Sequence, residues 1–199
     1  PASAIEIARV AEAAGQLGIE TPYILKFTRV MIDLGEATNM SAETAATSLA
    51  RFANIVQMPM ENIDRLGSTI VALGNNLATT ESEIVEMGLR LAGAGHQIGL
   101  TEAQILSFAA ALSSVGIEAE AGGSAFSRVM ITMANAVQSG GKKLSAFAKV
   151  AGMSASDFRK AFQEDAAGAL VMFIEGLARM SAEGENVFGV LEDLGLSEI

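Results

Sequence analysis

Apolar residues recur along this chain at spacings of three and four. Ile24, Phe27, Val30, Met31 and Leu34 form one set, and Leu49, Phe52, Ala53 and Val56 a second. A third runs through Ile63, Leu66, Gly67, Ile70, Leu73, Gly74 and Leu77. The pattern continues in Ile105, Phe108, Ala109 and Leu112, then in Phe126, Val129, Met130, Met133 and Val137. It ends in Leu170, Phe173, Ile174 and Leu177, followed by Val187, Val190, Leu191 and Leu194. Each set places one apolar stripe on a helix of 3.6 residues per turn. No stretch alternates with period two and carries β-branched enrichment. The expected fold is all-α, an array of antiparallel helical hairpins with no sheet.

The breaks between stripes share a chemistry. Gly18-Ile19-Glu20-Thr21-Pro22, Gly99-Leu100-Thr101, Gly152-Met153-Ser154 and, more loosely, Gly35 with Met40-Ser41 read as a stop followed by a start. Glycine takes the left-handed conformation that closes one helix. The apolar residue packs onto the next helix as a staple, Leu100 onto Ile105 and Met153 onto Phe158. The hydroxyl then caps that helix's free N–H groups. Thr80 to Glu83 and Thr101 to Gln104 have capping-box spacing, and Pro22 and Pro59 stand where the first helical residue is expected. Helix starts near 21, 41, 59, 80 and 101 follow. The step of about 20 residues is one helix plus a short loop, and two steps make a helical hairpin repeat or simply helices of similar length.

After Val115 the rhythm changes. Gly122-Gly123 and Gly140-Gly141 are expected to bracket one helix, and Lys142, Lys143 and Lys149 open a region of smaller helices. A boundary near 140 is expected, with a helical region over 1–140 and a smaller helical subdomain over 141–199.

Composition narrows the function. The 199 residues hold 13 basic and 23 acidic side chains, a net charge of −10, with half the residues hydrophobic and no cysteine or tryptophan. Disorder is excluded by hydrophobic content, and a disulfide framework by the absence of thiols. His96 is the single histidine, too few for a zinc site. The charge opposes binding to phosphate backbones or anionic lipid. No window reaches the roughly 18 apolar residues of a membrane span. The opening Pro1-Ala2-Ser3 has no signal-peptide character and suggests a fragment of something longer.

Candidate chemistry reduces to structure. Glu81, Glu83 and Glu86 cluster in a first helical turn, where negative charge complements the helix dipole. His96 falls near a helix end, where a cation is favoured. Gly93-Ala94-Gly95-His96-Gln97-Ile98-Gly99 has its third glycine one place too late for a dinucleotide motif and no strand before it. Gly140-Gly141-Lys142-Lys143 lacks the first glycine of a phosphate loop, where Ala136 stands, and the hydroxyl after lysine. No catalytic, cofactor-binding or metal-binding residue is assigned, no cofactor is implied, and the chain is read as a non-enzyme. The ten methionines are read as core ahead of an adaptable groove. Gly67 and Gly74 each disfavour a helix by about 1 kcal/mol against alanine, so close helix approach, within the fold or between chains, is expected there.

One block is more specific. Gly99-Leu100-Thr101-Glu102, Ala110-Ala111-Leu112 and Gly116-Ile117-Glu118-Ala119-Glu120-Ala121-Gly122-Gly123-Ser124-Ala125-Phe126 resemble the core region of phage tail tape-measure proteins, and Gln16-Leu17-Gly18-Ile19 and Met40-Ser41-Ala42-Glu43 resemble its upstream helix breaks. The resemblance covers about residues 3 to 140. It implies a structural virion protein acting in tail assembly and tail-length determination. It implies a location in the virion tail, and in the bacterial cytoplasm during assembly. The partners implied are other phage tail proteins and further copies of itself, with no direct nucleic acid binding. Two other readings remain: a helical-repeat scaffold for a protein partner, and a module making transient membrane contact through Ile105 to Ile117 and Phe126 to Val137.

A continuous helix of this length would span about 300 Å. Glycine stops every 20 residues or so oppose such a rod. A compact or hairpin-stacked domain is expected instead, with the extended ruler outside it. Small-angle scattering should give a radius of gyration of about 16 Å, and a rod several times larger would overturn the expectation.

Overall fold

A computed structural model describes residues 2–196. Among them there are helices and no strand, as the stripes predict. The helices are α1 (Ala4–Gln16), α2 (Thr21–Ala37), α3 (Ala42–Val56), α4 (Ile63–Asn76), α5 (Glu81–Gln97), α6 (Glu102–Ser114), α7 (Ala119–Ser139), α8 (Gly141–Val150), α9 (Ala155–Glu164), α10 (Ala166–Ala182) and α11 (Val187–Leu194). A 3-10 turn, Met60–Asn62, precedes α4. Two compact units are present. Among the described residues, the first holds 2–96 and Thr101–Ser124; the second holds Gln97–Leu100 and 125–196.

The predicted junctions form where glycine and hydroxyl are both placed for them. At the end of α8, Gly152 has φ +74°. Its N–H reaches the Lys149 carbonyl at 3.1 Å, and the Met153 N–H reaches the Ala148 carbonyl at 2.9 Å. This pair of bonds closes a helix through a left-handed residue. Ser154 then caps α9, its Oγ accepting from the Asp157 N–H at 3.1 Å. Ser3 and Ser41 cap α1 and α3 in the same way. Thr101 and Gln104 complete a capping box, with bonds of 3.2 and 2.9 Å.

Several expectations are corrected. Gly35 does not end α2, which runs on to Ala37. A Cβ on Gly35 would lie 2.9 Å from the Ala42 backbone nitrogen, so this glycine lets α3 approach. Gly122 and Gly123 lie inside α7 rather than before it. A Cβ on Gly123 would lie 2.5 Å from the Arg90 Cβ, and one on Gly122 would collide with Ile117. Thr21 does not cap α2; Glu20 holds that position without a side-chain bond, and Pro22 follows in the first turn. Pro59 heads the 3-10 turn instead of α4. Leu77 lies past the end of α4 and is 41% exposed, and Ile174 is 42% exposed on α10. Both continue a period that the packing does not use. At the end of α3 a non-glycine, Gln57, takes the left-handed conformation at φ 54°.

In the first unit α1 packs on α2 and α3, α2 on α3 and α4, and α4 on α6. The buried side chains include Phe27, Met31, Leu49, Phe52, Ile63, Ile70, Ile84, Met87, Leu91 and Ile105. Gly67 brings α4 against α2, where a Cβ would meet Val30 at 3.0 Å. The close approach expected there is therefore made within the fold. Gly74 instead faces the flexible end of the Glu81 side chain.

In the second unit α8, α9 and α10 pack mutually and α11 leans on α8 and α10. Phe147 is the centre of its core. Its ring lies parallel to Phe158 at 6.4 Å and tilted against Phe173 at 5.0 Å, separations at which aromatic pairs attract beyond their burial. α10 crosses the end of α8 at Gly176, where any Cβ would strike the Val150 carbonyl. Arg179, one turn on, donates to that same oxygen at 3.3 Å. Bare backbone at 176 and a guanidinium at 179 together hold the open end of α8.

Gly176→Ala should therefore lower stability by about 2 kcal/mol, the overpacking cost exceeding the helix-propensity gain. Gly93→Ala, whose methyl would meet nothing within 4 Å, should raise it by about 1 kcal/mol. Urea melts of the two variants check both signs.

Candidate functional site

Two of the acidic residues singled out in the sequence, Glu83 and Glu86, line one cleft in the first unit, and Glu81 does not. α5 begins with Glu81 and Glu83 in its first turn, and Glu86 follows one turn on. A cleft of about 310 Å3 is lined by Glu83, Glu86, Met87 and Ser113 with Ile117, Glu118 and Glu120. The pairing of Glu83 and Glu86 with Glu118 and Glu120 was not legible in the sequence. It depends on how α5 packs beside the turn after α6, some 30 residues away.

The geometry explains what Glu83 does. Its Oε2 accepts from the Thr80 N–H at 2.8 Å and the Thr80 hydroxyl at 2.9 Å. The Glu83 N–H in turn points to Thr80 Oγ1 at 3.4 Å. This is the predicted capping box. Thr79 donates to the same carboxylate at 3.1 Å. Hydrogen bonds from Thr80 backbone and side chain, then from Thr79, hold the Glu83 carboxyl below its ordinary value of 4.5. Such a group stays ionised near neutral pH and serves as a cap, not as a proton donor.

The other candidates are scattered. His96 is half-buried in the last turn of α5, the helix-end position expected for it. Gly140 and Gly141 have φ +74° and +75° and start α8, so Lys142 and Lys143 lie in a first turn, on a helix following a helix rather than a strand. Six methionines (Met31, Met40, Met58, Met87, Met130, Met133) are buried, which fits the core reading. Among the described residues no group of three or more acids or histidines is placed to hold a metal ion. No helix there is long and apolar enough to cross a membrane.

A second concavity went unnoticed in the sequence. α2 and α4 border a groove of about 400 Å3 lined by Val30, Asp33, Leu34, Gly67, Ser68 and Val71, with Ala37 and Ala72. Lys26 binds Asp64 on its rim at 2.9 Å and, chiefly by that hydrogen bond, holds the Asp64 carboxyl below its ordinary range. The only trace of the groove in the sequence is Gly67, which is small where the stripe calls for bulk.

The fold is thus an all-helical packing in which several polar side chains are spent on helix ends. Residues 1–194 match the phage-related minor tail protein family, and the chain belongs to that family. No curated protein and no solved structure matches it. Membership carries a structural role in a phage tail, among other tail components, and accords with a role other than catalysis.

The lowered Glu83 carboxyl has a consequence for stability. Because its folded pKa is depressed, the stabilisation is present above the unfolded value and is lost as pH falls through the folded one. Glu83→Gln should flatten the pH dependence of the melting temperature below about pH 4.5 and leave it unchanged between pH 6 and 8 apart from a constant offset. Thermal melts from pH 3 to pH 8 check this.

Proposed function

We propose that this chain is the capped-helix region of a tail tape-measure protein, a protein that acts in tail assembly and in tail-length determination. Residues 1–140 are the tape-measure-like core region and 141–199 a smaller subdomain. It works in the virion tail, after assembly in the bacterial cytoplasm, against other tail proteins and further copies of itself. Family membership across residues 1–194 supports this reading most directly. The block from Gly116 to Phe126 adds to it, because its stop at Gly116 (φ +80°) and its bare-backbone glycines 122 and 123 have structural duties at those places.

The closing of each helix within a few residues argues against this region being an uninterrupted rod. The length-setting part is then a more continuous helix elsewhere in the tail protein, and this region is an assembly element attached to it. The two roles separate cleanly in an experiment. In-frame deletion of codons 1–199 should abolish tails or give misassembled ones, seen by electron microscopy of lysates. Normal tails would overturn the proposal. Intact tails shortened by about 300 Å, the length of these residues as one helix, would show that the segment itself is the ruler and overturn its role as an attached element.

A further inference from the structure

We propose that the groove between α2 and α4 is a docking surface for a basic, amphipathic helix of another protein. The inference stands apart from the tape-measure reading, since it rests on the chemistry of the groove alone.

Three observations lead to it. First, the lining is aliphatic and small. Val30, Leu34 and Val71 are its aliphatic residues and Gly67, Ala37 and Ala72 its small ones, with Leu34 and Gly67 buried. A trough between two neighbouring helices, lined in this way, is the shape into which the side-chain ridge of a third helix fits.

Second, apart from its two carboxylates the groove has one polar side chain to dry. Ser68 already donates its hydroxyl to the Asp64 carbonyl at 2.9 Å. That donor loses no water without replacement, so burial of the aliphatic side chains is not offset by an unsatisfied hydroxyl proton. The acidic cleft by Glu83 asks more: four carboxylates line it, and a covering helix would have to desolvate them all.

Third, the rim selects the sign of the occupant. Asp33 on α2 and Asp64 on α4 stand on the two sides. Asp64 is paired with Lys26, whereas Asp33 is exposed and has no cation against it among the described residues. An incoming helix with lysine or arginine beside its aliphatic ridge therefore gains an ion pair at Asp33 while its ridge fills the trough. A second copy is the poorer fit, because a chain of net charge −10 presenting the same groove would set carboxylate against carboxylate.

The test uses the whole chain and a fluorescently labelled Leu/Lys amphipathic peptide of about four helical turns, followed by anisotropy at physiological ionic strength. Saturable binding of one peptide per chain is expected. Ala72→Arg, an exposed position whose new side chain fills the trough and cancels its negative charge, should weaken binding at least about tenfold. Asp33→Asn should weaken it several-fold, and Glu12→Gln, the same charge change on α1, should not. Circular dichroism melts confirm that the variants fold, and if Ala72→Arg does not, Asp33→Asn against Glu12→Gln decides. Absence of saturable binding, or equal losses for Asp33→Asn and Glu12→Gln, would overturn the proposal. So would a dimer of the chain alone, seen by sedimentation, that Ala72→Arg dissociates.

Discussion

A helix has to satisfy the free N–H groups at its start and the free carbonyls at its end, and many helices of this protein do so within a few residues of themselves. Ser3, Ser41, Thr80, Thr101, Ser154, Asp165 and Asn186 accept from N–H groups in the turns that follow them. Left-handed residues such as Gly152 and Gln57 close the carbonyl ends. Where an end is closed locally, a helix is free to stop after a few turns and the next to begin at once. Arrays of short helices, with loops too brief to carry machinery of their own, are the direct result.

That constraint also governs where the polar chemistry goes. Glu83 and Asp157 are held in caps, and Arg179 is turned onto the last carbonyl of α8. Arg159 bonds the Val137 carbonyl at 3.0 Å near the end of α7. These four side chains are committed to helix ends. In the acidic cleft, Glu83 is the capping-box partner of Thr80 at the start of α5. A structural role in a tail, as family membership gives it, agrees with a molecule built in this way.

Once the ends are closed, packing depends on how near two helices come. Glycines inside helices settle that distance at Gly35, Gly67, Gly123 and Gly176, where another atom occupies the place a Cβ would take or nearly so. The gain is dense contact of neighbouring walls, since dispersion falls away steeply with a gap. The same device leaves the α2–α4 groove, because a glycine that admits one neighbour also lowers the floor beside it.

The amino-acid pattern by itself determined the helical class, the starts of α2, α3, α5, α6 and α9, and the capping boxes at Thr80 and Thr101, because those depend on residues within one or two turns of each other. Gly35, Gly122 and Gly123 were legible as helix stops and are instead contact points. The reason is physical: glycine's two uses, left-handed backbone and missing Cβ, look the same in a sequence, and only the neighbouring helix distinguishes them. Ile174 and Leu77 continue an apolar period into solvent for a related reason, since periodicity says which face is apolar and not how far a partner extends along it. Tertiary structure alone decided that Glu83 and Glu86 share a cleft with Glu118 and Glu120, and that Asp33 and Asp64 flank one groove. Those pairs are about 30 residues apart, and no local spacing rule reaches across a helix and its turn to join them.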